Sequence, residues 1–168
     1  MKFSPCVVQS RIESPLGDID LAASDMGLVG VWFVDQHHRP AQLDGSKAWP
    51  CQDNHPVLLQ AGLQLKEYFL AKRTHFDVPL DINGGTIFQQ SVWQALLKIP
   101  HGKTISYGDI SRQIGNPSAV RAVGSAVGRN PLSLIVPCHR VLGGDGSLTG
   151  YAGGLDRKTA LLTLEGAL

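Results

Sequence analysis

The chain has 168 residues, 43% of them hydrophobic and 17% charged, with 19 glycines, 10 prolines and three cysteines. This mixture excludes a disordered tail, a collagen-like repeat and a disulfide-framed mini-protein, and it leaves room for one large domain or two small ones. Fifteen basic against fourteen acidic side chains give a net charge of +1, which taken whole argues against a nucleic-acid binder.

The average hides a division. Residues 1–85 carry seven basic and ten acidic side chains, and residues 86–168 carry eight basic and four acidic ones. Between Lys98 and Arg140 the only acid is Asp109, so this stretch can present a positive field to a phosphate backbone. The first residues lack the long apolar core of a signal peptide, and no run approaches the ~20 apolar residues of a membrane span. The expected location is cytoplasmic, with no membrane partner. Cys6, Cys51 and Cys138 are odd in number and widely spaced, which fits reduced thiols.

In chain order, Val7 to Glu13, Asp18 to Ala23 and Leu28 to Val34 read as strands separated by Pro15-Leu16-Gly17 and Asp25-Met26-Gly27. They predict an antiparallel meander. His37 to His55 is polar, rich in turn formers and without a period, and reads as a loop or a poorly ordered crossing. From Pro56 onward, Leu58, Leu59, Leu63, Leu65, Phe69 and Leu70 fall near helical spacing, giving one helix to cover the sheet. Asp77 to Gly85, with Pro79 and Gly84-Gly85, reads as a linker, and the domain boundary is placed there: an α/β supporting domain over 1–85 and a mainly helical domain over 86–168. The fold class is α/β in the α+β sense.

In the second half, Thr86 with Gln89 forms a capping-box pattern that opens a helix over Ile87 to Lys98, with Phe88, Val92, Ala95, Leu96 and Ile99 inward. Ser106 with Asp109 opens a short helix that stops near Gly115. Asn116 as N-cap and Pro117 in the first turn then begin a third helix running to about Gly128. The last two form a helix-turn-helix candidate. On the third helix Val120, Val123 and Val127 make a core stripe and Ala119, Ala122 and Ala126 a second one beside it. The remaining face holds Arg121, Gly124, Ser125 and Gly128, one long cation on a surface of small residues. Such a face suits close approach of a partner, and it equally suits tight helix packing.

An apolar run, Leu132 to Val136, leads into Pro137-Cys138-His139-Arg140-Val141. Adjacent side chains diverge, so a thiol–imidazole contact between Cys138 and His139 would run through a bridging water. Leu155 to Glu165 reads as a helix closed by Gly166. Glu165 in its last turn opposes the helix dipole, which an interaction with His139 would offset, giving a nucleophile, base and orienter from Cys138, His139 and Glu165. A solvent-facing Glu165 is the alternative.

Pro137-Cys138-His139-Arg140-Val141 resembles the active-site signature of the methylated-DNA–protein-cysteine methyltransferases, the O6-alkylguanine-DNA alkyltransferases. The resemblance extends from Thr86 to Gly166, through the segments 88–93, 106–108, 116–124, 128–131 and 150–155. It implies a single-turnover transferase that flips O6-alkylguanine, and also O4-alkylthymine, out of duplex DNA and moves the alkyl group irreversibly to Cys138. It implies no cofactor, because the DNA is the donor. Certain animal members of the family bind zinc in the N-terminal domain; here Cys6, Cys51, His37, His38 and His55 show no paired ligand spacing and read as scattered polar residues, so no metal is expected.

The resemblance also assigns residues. Cys138 is the nucleophile; His139, through a water and oriented by Glu165, favours the thiolate; Tyr107 helps protonate the departing guanine. Asn130 is the hinge before the active-site segment, where Asn tolerates left-handed backbone geometry and offers its amide to neighbouring backbone. Arg121 fills the gap left by the flipped base, and Asn116, Tyr107, Ala119, Ala122, Gly124 and Arg129 meet the DNA from the minor groove. Val127, Ser133, Val141, Tyr151 and Ala152 surround the substrate pocket. Some relatives carry Ser where this chain has Ala152 and Pro where it has Ser133, which bears on tolerance for bulky alkyl groups. The expected state is a monomer. The rival readings are a lesion sensor that transfers nothing, a helix-turn-helix transcription factor and a cysteine hydrolase.

Overall fold

The computed structural model describes residues 3–168. Three antiparallel strands, β1 (Val8–Ile12), β2 (Ile19–Ser24) and β3 (Gly27–Phe33), lie in sequence order with Val8 opposite Ala23 and Ile19 opposite Phe33. The meander follows the expected pattern. A register shift at Ala22/Ala23 interrupts the β2–β3 ladder. Gly30 beside it carries the ring of Trp32, which a Cβ at that position would strike.

Both faces of the sheet are covered. Ile19, Leu21, Ala23, Leu28, Val31 and Phe33 join the main core. Ala22, Val29 and Trp32 face the other way and pack with Val7 and Leu43, flanked by Phe3 and Trp49. The segment expected to be a loop therefore supplies a second cover. It forms two short 3-10 turns, Ala41–Leu43 and Gly45–Lys47, and its Arg39 joins Arg11 in pairing the buried carboxylate of Asp20. Period alone could not reveal this, because Leu43 and Trp49 are too few to set one.

Helix α1 (Pro56–Phe69) starts with proline in its first turn, as the sequence indicates, and buries Leu58, Ala61, Gln64, Leu65 and Tyr68. Leu59, Leu63 and Leu70, counted among its apolar positions, are instead more than half exposed. The leucines form two overlapping stripes, and only the one shared with Ala61 and Tyr68 meets the core. The segment read as a linker is tied down: Leu28 N–H donates to Pro79 O and Asp81 N–H to Leu28 O, so 79–81 pairs with the outer edge of β3.

Helix α2 (Ile87–Leu96) opens with the complete Thr86/Gln89 capping box, and α3 (Tyr107–Gln113) with the Ser106/Asp109 box. Trp93 is fully buried and its indole N–H donates to Ala126 O at 2.9 Å, locking α2 to α4 (Val120–Gly128). The start of α4 differs from expectation. Asn116 to Ala119 makes a separate turn, with Ala119 N–H donating to Asn116 O, so Asn116 caps nothing and the helix begins at Val120. Its core face is Val123, Ala126 and Val127; Val120 and Ala122 are exposed. Two short strands, β4 (Ile105–Ser106) and β5 (Val141–Leu142), pair in parallel, and α5 (Leu155–Leu164) closes the chain. Among the described residues, no helix is long and apolar enough to cross a membrane.

Candidate active site

The approach to Cys138 is set by three constraints. After α4, the segment 131–133 pairs with β3: Val31 N–H donates to Pro131 O at 2.8 Å, and Ser133 N–H to Val31 O at 3.0 Å. Leu134 then takes a left-handed backbone with φ 73°, a costly conformation for a branched side chain that packing must hold. Third, the Asn130 side chain spans the turn, accepting from Leu132 N–H at 3.0 Å and donating to Val136 O at 2.8 Å and to Cys138 Sγ at 3.2 Å. The expectation of left-handed geometry at Asn130 is corrected: that conformation belongs to Leu134, and Asn130 works through its amide.

Cys138, His139 and Arg140 form a short 3-10 turn leading into β5, and all three are buried. Burial pushes the Cys138 thiol up, while the Asn130 hydrogen bond and the charge of Lys158 pull it down. His139 Nε2 lies 2.8 Å from Glu165 Oε1, so the solvent-facing alternative for Glu165 is excluded. Because the carboxylate accepts, Nε2 carries the hydrogen, and Nδ1, which has no partner among the described residues, holds a lone pair. Burial lowers the His139 pKa against the opposing pull of Glu165, favouring the neutral ring.

Glu165 sits at the C-terminal end of α5, where Gly166, with φ 68°, closes a Schellman turn: Gly166 N–H donates to Thr163 O and Ala167 N–H to Leu162 O. Besides His139, its carboxylate accepts from Tyr68 Oη (2.7 Å), Arg140 Nε (2.7 Å) and Nη2 (2.9 Å), and Gly102 N–H (3.2 Å). Burial would raise its pKa, but the bonds from His139, Arg140 and Tyr68 outweigh burial and hold the carboxyl well below the usual range.

Lys158 is fully buried, and its ammonium donates to Val141 O (2.5 Å) and Thr149 O (2.6 Å). Burial brings its pKa down to about 8 against the pull of Cys138. Tyr107, first in α3, donates to Thr149 O or Gly150 O at 3.3 and 3.2 Å, so Tyr107 and Lys158 converge on one loop. Tyr151 Oη is buried without a partner among the described residues, and its pKa is raised by burial and by the proximity of Cys138. Ser133 donates to Gln36 Oε1 at 3.1 Å, and Ala152 O accepts from His37 N–H at 2.9 Å. Val127 lies in the core.

The structure thus gathers Cys138, His139, Glu165 and Asn130 into one buried centre, with Tyr107 and Val141 connected to it through Lys158. Arg121, Ala122 and Asn116 are exposed, Ala119 and Gly124 half-buried. Arg121 makes no hydrogen bond or ion pair among the described residues, whereas Arg129 bonds Ser125 Oγ. Sequence reasoning missed Tyr68, Gly102, Lys158 and the role of Arg140. Lys158 carried a signal: it precedes Leu161 and Leu162 by three and four residues, on the apolar face.

Two family profiles match the chain: 6-O-methylguanine DNA methyltransferase, ribonuclease-like domain, over residues 7–82, and 6-O-methylguanine DNA methyltransferase, DNA binding domain, over residues 87–167. A methylated-DNA–protein-cysteine methyltransferase of Mycolicibacterium paratuberculosis is 47% identical over 154 residues, 92% of this chain and 89% of that protein. The chain belongs to the methylated-DNA–protein-cysteine methyltransferase family. Another methyltransferase of the family, from Methanosarcina acetivorans, is 48% identical over 92% of this chain and 96% of its own length. The crystal structure of the Mycobacterium tuberculosis family protein, OGT, in complex with DNA superposes with a TM-score of 0.84 at 46% identity, covering 95% of this chain and 93% of that one.

Proposed function

We propose that this methyltransferase repairs DNA by direct reversal, taking the alkyl group of O6-alkylguanine, or of O4-alkylthymine, onto Cys138. The observation that carries the reading is the buried Cys138–His139–Glu165 arrangement with the Asn130 amide on the sulfur. Neutral His139 accepts the thiol proton through a water at Nδ1, and the Nε2–H bond to Glu165 stabilises the imidazolium that results. The thiolate attacks the alkyl carbon in line, the S–C bond forms and the C–O bond breaks. Guanine leaves as a neutral base with a proton delivered at Tyr107. The product thioether has no leaving route back to thiol, so each molecule acts once and needs no cofactor or metal.

DNA meets α4 through the minor groove. The small residues Ala119, Ala122 and Gly124 let the helix backbone approach, and Arg121 occupies the space of the extruded nucleotide. Asn116 and Arg129 contact the flanking backbone. The flipped base enters a pocket bounded by Val127, Ser133, Val141, Tyr151 and Ala152. Residues 86–168 form the alkyltransferase domain, residues 1–85 its support, and the protein acts as a cytoplasmic monomer.

Incubation with a duplex containing O6-methylguanine is expected to add one methyl mass to the tryptic peptide holding Cys138. DNA binding with an unmodified peptide would overturn the transferase reading in favour of a sensor.

A further inference from the structure

Tyr68 lies on α1, in the half of the chain that carries none of the alkyltransferase motifs, yet its hydroxyl donates to the same Glu165 oxygen that takes His139 Nε2–H. The two bonds are 2.7 and 2.8 Å long. The ring is buried and fixed by edge-on contacts with Phe69 and His101 and a tilted one with Phe76, so the hydroxyl has little freedom to point elsewhere. We propose that Tyr68 is a positioning residue for alkyl transfer, tuning how strongly Glu165 draws on His139 and thereby the pH at which His139 ceases to be a base.

The argument is one of competition for a carboxylate. Two oxygens offer about four acceptor sites, and five donors address them: Tyr68 Oη, His139 Nε2, two nitrogens of Arg140 and the Gly102 amide. The charged groups acting on His139 are Glu165 at the end of α5, Lys158 within α5 and Arg140 from its own turn, with the neighbouring Cys138 thiol pushed up by burial and Tyr68 from α1 reaching it through Glu165. Arg140 and Lys158 oppose an imidazolium and Glu165 favours it. A hydrogen bond to the carboxylate lowers its basicity. Without the Tyr68 hydroxyl, Glu165 accepts more strongly from His139, the imidazolium gains stability, and the ring takes up its proton at higher pH.

The inference rests on the transferase reading. Its test is the pH dependence of single-turnover methyl transfer from a duplex containing O6-methylguanine to Cys138 in the full chain, with the 15N titration of His139 followed in parallel. Tyr68→Phe keeps the ring packing and is expected to move the acid limb up by about half a pH unit or more. Replacing Tyr68 by 3-fluorotyrosine, a stronger donor of nearly the same size, moves it down, and this second variant decides the matter if Tyr68→Phe folds poorly. A purely structural role lowers stability and leaves the limb in place. Limbs that coincide with wild type in the folded variants, or that move in the same direction in both, overturn the proposal. If wild-type Cys138 takes up no alkyl group, the transferase reading itself fails; the 15N titration of His139 then still reports on Tyr68, with the same expected directions.

Discussion

Glu165 accepts from five donors inside the protein, whereas Arg121 on the outward face of α4 meets no hydrogen-bond partner among the described residues. The first region has its hydrogen bonds in place without DNA, so on the proposed function its dipoles need no rearrangement when charge develops at sulfur. The second is open, its one long cation set among alanine, glycine and serine, and on the proposed function its contacts are made to DNA. On the proposed function, the buried centre carries the chemistry and the exposed helix carries the access to DNA.

The sharpest break between the two regions comes from Cys138→Ala, which is expected to abolish the methyl mass increase entirely while leaving duplex binding in place. Loss of both would mean that the regions are not separable. Next in size is Glu165→Ala, which strands Arg140 and should cost about 3–5 kcal/mol of stability at pH 7 in denaturant unfolding. The sign with pH follows from the depressed carboxyl. Its contribution is full above the unfolded pKa of about 4.3 and is lost as pH falls below it, so the deficit should narrow in acid.

Arg121→Ala should change stability by no more than about 0.5 kcal/mol. It should nevertheless slow repair of a duplex lesion at least about tenfold, roughly 1.4 kcal/mol, relative to reaction with free alkylguanine. Equal losses on both substrates would remove Arg121 from base extrusion. The smallest effect is expected of Arg129→Gln: a reduction of about one in the slope of log affinity against log salt, with repair of free base unchanged.

Much of this was legible because it is local. Capping boxes at Thr86 and Ser106 are encoded within four residues, and both formed as read. The meander needed only alternation and two turns. The failures lie where a residue's environment comes from far along the chain. Asn116 looked like a cap because of Pro117, but a turn intervened. Leu59 and Leu63 looked inward because leucine alone cannot tell which stripe meets a sheet. At the centre, Cys138, His139 and Glu165 were reached through motif and dipole arguments, while Tyr68 was invisible: nothing in α1 announces a carboxylate 97 residues away. Lys158 was legible in principle, as a lone cation on an apolar face.

Among the described residues, the three-stranded sheet has no further strand at either margin, only isolated bridges. Gln9 of β1 bonds the stretch at Pro50 and Gln52, and β3 bonds 79–81 and 131–133. A chain cut after residue 85 would keep the first two of these patches and lose the third, exposing the N–H and C=O of Val31 as a template for another molecule's backbone. The fragment would therefore be prone to aggregate, and the intact protein should unfold in a single step, because the strip at 131–133 that leads into Cys138 is also the seal that keeps the sheet solitary.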